Sequence, residues 1–264
     1  PNLTRLQEIN LPMWTPELIS HAAQHDGFYW LILVVFIAGV VRGFSGFGTA
    51  MVYIPFASQF IDPVSVLVAL TVMDIFGPIP NLPRAWRDGE PSSVARLGFA
   101  TLVALPAGIY FLLAVPAEIF RYAVSILAIV VPLSLLAGLR YRGQITPKLL
   151  YVGGAIAGIT GGAVGLPGPP IIMLFAASTK AVSCIRANIM MYLFVFDVFL
   201  LFWFAMKGHL DALPITLGLL FLVPSVAGNI LGAKIFDPAR EKLYRGIAYA
   251  VIFTAALTSL PLWD

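Results

Sequence analysis

Charged residues are scarce in this chain. Asp, Glu, Lys and Arg make up 11% of its 264 residues, while 59% are hydrophobic and the mean hydropathy is +0.91. A soluble domain carries about 25% charged residues. Runs of roughly 20 apolar residues, the length that crosses a bilayer, recur along the chain. The composition therefore excludes an ordinary soluble protein and predicts one integral membrane domain.

Residues that support catalysis or cofactor binding are also few. The only cysteine, Cys184, cannot form an intrachain disulfide, and no GxxxxGK[ST] sequence is present to bind phosphate. His21 and His25 are four residues apart but lack the Glu of a HExxH zinc motif. These absences predict that the protein is not an enzyme and holds no cofactor or metal. Basic residues lie in short loops between apolar runs, the pattern that sets the orientation of a membrane protein. We therefore expect no nucleic acid partner.

Glycine is concentrated inside apolar sequence. The first apolar run, residues 28–61, would measure about 51 Å as one helix, whereas the hydrocarbon core is about 30 Å thick. The stretch GFSGFGTAMVYIP, with Gly43, Gly46 and Gly48, divides this run into two shorter pieces. Because glycine accepts the φ angles of a tight turn, we expect a broken helix that enters the membrane, turns and returns. The alternative is that these glycines only let helices pack closely, as in GxxxG pairs.

The same pattern occurs a second time, which predicts an internal duplication. Aligning residues 38–57 with 157–176 matches Ala38 with Ala157, Gly39 with Gly158, Gly43 with Gly162, Gly46 with Gly165, Phe56 with Phe175 and Ala57 with Ala176. Further on, Pro106 matches Pro224, and Pro116-Ala117 matches Pro238-Ala239. The predicted repeats span residues 28–138 and 149–262. They follow residues 1–27, where Trp14 suits a segment lying at the membrane surface.

The distribution of basic residues favours hairpins over single crossings. If each glycine run crossed the membrane once, the basic residues would divide eight to seven. With hairpins, three lie on the N-terminal side: Arg5, Arg121 and Lys207. Twelve lie on the other: Arg84, Arg87, Arg96, Arg140, Arg142, Lys148, Lys180, Arg186, Lys234, Arg240, Lys242 and Arg245. The second division follows the positive-inside rule and predicts that both termini are extracytoplasmic.

The predicted fold is therefore an all-α membrane protein with two inverted repeats. Each repeat contains a glycine-rich broken-helix hairpin followed by three transmembrane helices, so an odd number of crossings inverts the second repeat. Inverted repeats whose broken helices meet near the midplane are typical of secondary transporters, which hold the substrate between the breaks.

The sequence also resembles a known family. The stretches GVVRGFSGFGTAMVYIP and GITGGAVGLPGPPIIM, within a duplicated chain of this length, resemble the sulfite exporter TauE/SafE family, also called the toluene sulfonate uptake permease (TSUP) family. The resemblance covers nearly all of the chain beyond residue 27. It implies a multi-pass carrier of the bacterial inner membrane for sulfite or small organosulfonates, with exporting and importing members. The second glycine stretch departs from the first in its prolines, Pro167, Pro169 and Pro170.

The helix that leaves each break is predicted to bind the anion. Its first N–H groups lack intrahelical acceptors and lie at the positive end of the helix dipole. The predicted substrate-binding residues are Arg42, Gly43, Ser45, Gly46, Phe47, Gly48 and Thr49 at the first break, and Gly162, Gly165, Leu166 and Gly168 at the second. Pro167, Pro169 and Pro170 have no N–H group, so the second break would offer fewer donors. The alternative for Arg42 is that its side chain snorkels to the membrane surface instead of binding substrate. The alternative for Ser45 and Thr49 is that their hydroxyl groups bond only to nearby backbone.

Other polar residues inside the apolar runs are candidates for coupling or for lining a cavity. These are Asp74, Asp197, Asn188 and Asn229. The aspartates could carry protons or pair with basic groups, and the asparagines could instead bond between helices.

These features predict secondary transport of a small anion by alternating access at a midplane site, and the resemblance implies that the anion contains sulfur. A potential of 100 mV, negative inside, favours outward movement of one negative charge by about 2.3 kcal/mol, so export needs no coupling ion and is the predicted direction. Import would need protons or cations. The alternatives are a passive anion channel with the same site, or a membrane-embedded enzyme acting on a lipid or quinone. The expected partners are the anion, membrane lipid and, for coupled transport, protons.

Overall fold

The computed structural model describes residues 22–24, 27–137, 145–175 and 180–260, and within these ranges the chain forms helices and no strands. In chain order the helices are α1 Phe28–Ser45, α2 Thr49–Ala57, α3 Pro63–Ile75, α4 Leu82–Asp88, α5 Pro91–Ala114, α6 Ala117–Leu136, α7 Pro147–Val164, α8 Gly168–Phe175, α9 Val182–Met206, α10 Ala212–Ile235 and α11 Glu241–Ser259. Most of the predicted interfacial segment, residues 1–27, lies outside the described ranges.

The first glycine run forms a break between α1 and α2. Gly46, which ends α1, has φ 80°, and Gly48, which precedes α2, has φ 108°. Side chains strain the backbone in this left-handed region, so both positions favour glycine. After α2 the chain lies beside the start of α1, since a Cβ on Gly27 would be only 2.5 Å from Phe60 Cδ1. The N-terminal end of α1 and the C-terminal end of α2 are therefore neighbours.

The second glycine run forms a comparable break between α7 and α8. Gly165 ends α7 with φ 71°, and α8 then runs back along α7. A Cβ on Gly153, near the start of α7, would lie 3.0 Å from Leu174 Cδ2 near the end of α8. The two breaks differ in one respect: Pro167 aligns with Gly48 and cannot adopt a positive φ.

Several helices are long and apolar enough to cross a bilayer. Among the described residues these are five, α1, α5, α6, α9 and α10, or six if α3 and the segment Ile79–Asp88 form one span with a 42° bend. α3 ends at Ile75, and a turn of 3-10 helix, Ile79–Asn81, follows before α4. Pro78 and Pro80 lack N–H groups there, which explains the bend. The chain is a multi-pass membrane protein.

The tightest packing occurs between α5 and α7 and between α1 and α10, and both contacts depend on glycine. A Cβ on Gly108 would lie 2.8 Å from Ala163 N across the first contact, and one on Gly43 would lie 2.7 Å from Ala233 N across the second. Both distances are too short for a side chain, so these helices touch backbone to backbone.

Candidate functional site: a cavity between the two breaks

A cavity of about 100 Å³ lies where the two breaks meet. Its wall includes the backbone of both breaks, the ends of α1 and α3, the starts of α2 and α8, and the middle of α9. Of the predicted site residues it brings together Arg42, Gly46, Phe47, Gly48, Thr49, Gly165, Leu166, Gly168, Asp74 and Asp197. Residues more than a hundred positions apart in sequence therefore share one small space.

The start of α2 presents hydrogen-bond donors to this cavity. The first intrahelical bond of α2 runs from Val52 N–H to Gly48 O, at 3.1 Å, so the four preceding N–H groups have no acceptor within the helix. Their residues, Gly48, Thr49, Ala50 and Met51, all line the cavity, and no side chain caps the helix. Such a helix start attracts anions through its free N–H groups and its dipole.

Thr49 adds a hydroxyl group at the same place. Its Oγ1 atom is buried and has no hydrogen-bond partner among the described residues, and the residue as a whole is 3% exposed. A buried hydroxyl without a hydrogen-bond partner lowers the stability of the fold by about 1 to 3 kcal/mol. Because Thr49 lines the cavity, a ligand with acceptor oxygens would supply that partner.

The second break offers fewer donors and more apolar surface. α8 begins with Gly168, Pro169 and Pro170, of which only Gly168 has an N–H group. Leu166 N–H donates to Thr160 O at 3.4 Å, and the Thr160 hydroxyl donates to Leu166 O at 3.1 Å, so Thr160 ties the break to α7. The asymmetry expected from the prolines is thus present in the geometry of the two helix starts.

An ion pair joins two of the cavity's charged residues. Arg42 Nη1, in the last turn of α1, lies 2.7 Å from Asp74 Oδ1 near the end of α3, and the two side chains are 25% and 19% exposed. Of the readings that the sequence left open for Asp74, the structure shows pairing with a basic group. Arg42 faces the cavity and is already bound to a carboxylate.

Gly43, Gly162 and Ser45 do not line this cavity. Gly43 packs against α10, and a Cβ on Gly162 would lie 2.9 Å from Ile109 N of α5, so both glycines serve helix packing. The Ser45 hydroxyl donates to backbone oxygens of its own helix end, with Val41 O at 2.6 Å. The fold uses these three residues for helix packing or local hydrogen bonding, and their contact with the substrate stays a prediction.

The two asparagines also lie outside the cavity wall. Asn188 is fully buried, its Oδ1 accepts the Glu90 N–H at 2.6 Å, and its Nδ2 lies 3.8 Å from Cys184 Sγ. Asn229 is exposed, and its backbone packs against Gly39 and Gly43. Asn188 thus bonds between elements, which was the alternative to a cavity role.

Some residues of the cavity wall were not predicted from the sequence. Thr71 lines the cavity one helical turn before Asp74, and apolar Leu67, Leu70 and Phe196 also lie in the wall. Helical spacing was a usable signal, because residues three or four positions apart lie on the same face of a helix. Thr71 and Leu70 have this spacing from Asp74, and Leu193 has it from Asp197.

A second polar cluster lies outside the spans, where α5 and α9 begin. Lys180 pairs with the Glu90 carboxylate, and the Ser93 hydroxyl donates to the same carboxylate at 2.9 Å. The hydrogen bond from Lys180 is the main reason that the pKa of Glu90 lies below its ordinary value, with Ser93 contributing in the same direction. With the Asn188 contact, this cluster links the two halves of the chain.

Comparison with known proteins gives one match. A family model described as sulfite exporter TauE/SafE matches residues 31–259, most of the chain. No curated protein and no solved structure matches it.

Proposed function

The chain belongs to the sulfite exporter TauE/SafE family, and from this premise we propose that it is a secondary carrier for a small sulfur-containing anion, which binds in the cavity between the two breaks. The family is one of membrane transporters for sulfite and sulfonate-like anions. Alternating access then exposes the cavity first to one side of the membrane and then to the other.

The observation that carries this proposal is the convergence of donors on one cavity. The free N–H groups at the start of α2, the unpartnered Thr49 hydroxyl and the Arg42 guanidinium all line it. A guanidinium forms paired hydrogen bonds with oxyanions. The three oxygens of a sulfite or sulfonate group can use several of these donors at once, and Leu67, Leu70 and Phe196 provide apolar surface for a short organic tail.

The paired architecture supports two inverted repeats over residues 28–138 and 149–262. Each half has a helix of 18 residues, a glycine break and a short helix that runs back beside it. The most extensive helix contacts are also equivalent in the two halves. The long helix before each break, α1 or α7, packs on a helix of the other half, α10 or α5. If the short helices return to their starting side, the twelve-to-three division of basic residues supports a location of both termini outside the cytoplasm. A bacterial inner membrane suits this arrangement.

Export is the proposed direction for an anion that moves alone. The inside-negative potential drives a single negative charge outward by about 2.3 kcal/mol per 100 mV. A passive anion channel could use the same donors, and the two mechanisms differ in whether substrate on one side accelerates flux from the other.

Removal of the Thr49 hydroxyl tests the proposed site. Thr49→Val keeps the shape of the side chain and removes a buried hydroxyl without a partner, so the variant should fold with unchanged or higher thermal stability. Its affinity for sulfite or a small sulfonate should fall about tenfold, the value of one hydrogen bond to a charged group. Thr254→Val is the matched control, since Thr254 is exposed and its hydroxyl donates to Ala250 O at 2.9 Å. Equal affinities in the two variants would remove Thr49 from the site.

A further inference from the structure

Asp74 and Asp197 occupy equivalent places in the two halves of the chain. The segments LTVMDIF and LFVFDVF carry the same residues at alternate positions, with the aspartate third. The matched pairs are Leu70 with Leu193, Val72 with Val195, Asp74 with Asp197 and Phe76 with Phe199. Both aspartates line the cavity between the breaks. The site therefore contains one carboxylate from each repeat.

Only one of these carboxylates has an arginine. Arg42 pairs with Asp74, but the residue that aligns with Arg42 in the second half is Gly161. A Cβ on Gly161 would lie 2.5 Å from Phe196 Cζ and 3.0 Å from Pro167 Cβ, so the second half has no room for a side chain there. The two halves thus contribute two carboxylates, Asp74 and Asp197, and one guanidinium, Arg42, to the cavity wall.

The Asp197 carboxylate has no ion pair or hydrogen bond with any described residue. The charged groups that act on it are Asp74 on α3 and Arg42 on α1. On α9 itself the nearest titratable group is Tyr192, whose hydroxyl lies 3.0 Å from Thr101 Oγ1 of α5. α8 has no titratable side chain. The other charged groups on the neighbouring α4 and α5 lie outside the cavity wall: Arg84, Arg87, Asp88 and Arg96.

The charge balance of the cavity depends on the state of Asp197. Arg42 offsets Asp74, so an ionised Asp197 leaves the empty cavity with one net negative charge, and a bound anion adds a second. Two uncompensated negative charges inside a membrane domain are strongly unfavourable. Protonation of Asp197 removes one of them at the moment that the anion enters.

We propose that Asp197 takes up a proton from solvent when the anion binds, so that the carrier moves the anion and the proton together. This inference rests on the proposed function and adds a coupling ion to it. A monovalent anion and one proton carry no net charge, so the membrane potential no longer biases the loaded carrier. Direction then follows the anion and proton gradients, and an anion produced in excess inside the cell still leaves it.

The pH dependence of anion affinity tests this proposal. The ligand should be a small alkanesulfonate, because a sulfonate stays a monoanion across the pH range, whereas sulfite itself titrates. Wild-type affinity, measured by calorimetry on purified protein from pH 5 to pH 10, should fall with rising pH by up to about tenfold per unit, the slope for one linked proton. Titrations in buffers of different ionisation enthalpy should show proton uptake on binding.

Three variants assign the proton. Asp197→Asn should bind the sulfonate with no pH slope and no proton uptake, while Asp197→Glu, which keeps a carboxyl group, should retain both. Asp211→Asn, at the exposed start of α10, is the matched control and should behave as wild type. A wild-type slope in Asp197→Asn, or a wild type without a slope, would overturn the proposal while leaving the anion site intact. Failure of the wild type to bind any sulfonate or sulfite would instead refute the proposed function.

Discussion

In the proposed site Asp74 competes with the anion for Arg42, so its neutralisation should improve binding. Arg42 Nη1 lies 2.7 Å from Asp74 Oδ1, and an anion that uses the guanidinium must share it with this carboxylate. Asp74→Asn keeps the size of the side chain and replaces a charged acceptor with a neutral one. The guanidinium stays charged, but a neutral amide oxygen is a weaker acceptor than a carboxylate and leaves no opposing charge beside the anion. We expect affinity to rise about tenfold, which corresponds to about 1.4 kcal/mol.

The opposite change, Arg42→Ala, should lower affinity at least about tenfold, and Arg42→Lys should recover only part of this because the planar fork is lost. Removing Arg42 alone leaves Asp74 without its partner and destabilises the fold as well. The double variant Arg42→Ala/Asp74→Asn removes both charges and separates the two effects. Without Arg42, Asp74→Asn should still raise affinity relative to Arg42→Ala, because it removes an uncompensated negative charge, but the double variant should bind more weakly than Asp74→Asn alone.

Calorimetric titration with a small sulfonate at constant pH measures the affinity of wild type and the four variants, and thermal unfolding in the same detergent verifies that each is folded. Two results would contradict this prediction: weaker binding by Asp74→Asn, or wild-type affinity in Arg42→Ala. Either result would mean that the ion pair only stabilises the fold and that the anion does not use the guanidinium.

Three further predictions concern the breaks, the orientation and the polar cluster. Gly46→Val and Gly165→Val should each abolish transport, because both glycines have a positive φ that a branched side chain strains. A Cβ on Gly165 would also lie 2.5 Å from Ile54 Cδ1. Normal transport by either variant would show that this glycine is not required at the site. Lys148→Cys and Lys207→Cys, in a background without the native cysteine, should be labelled from opposite sides of sealed vesicles, and labelling from the same side would contradict the inverted repeats. Glu90→Gln should lower the melting temperature by more at about pH 7 than at about pH 3. The lowered pKa of Glu90 stabilises the fold above the ordinary Glu value, and this stabilisation is lost as the pH falls through the folded-state pKa; an equal decrease at both pH values would argue against the pair with Lys180.

The breaks could be predicted from the sequence because glycine in a long apolar run has few uses. Gly46, Gly48 and Gly165 do adopt the left-handed conformation that motivated the prediction. Gly43 and Gly162 lie in the same runs but serve close helix packing. A turn glycine and a packing glycine look alike in sequence, since the difference depends on which helix lies opposite.

Tertiary contacts also decided the roles of the polar residues. Asp74, Asp197 and Asn188 are all polar residues within apolar sequence, yet only the aspartates reach the cavity, while Asn188 bonds to the segment before α5. The side of a helix that faces a cavity depends on its rotation within the bundle. The ion pair of Arg42 with Asp74 joins two helices whose register no local pattern fixes.

We propose that this protein carries a small sulfur anion by exposing one site alternately to the two sides of the membrane. Counterflow in proteoliposomes tests it most directly: vesicles loaded with unlabelled sulfonate or sulfite are diluted into a trace of the labelled anion. A carrier should accumulate label transiently and several times faster than in empty vesicles, because loaded sites return more readily than empty ones. Uptake that is independent of the internal anion would identify a passive channel and contradict the account.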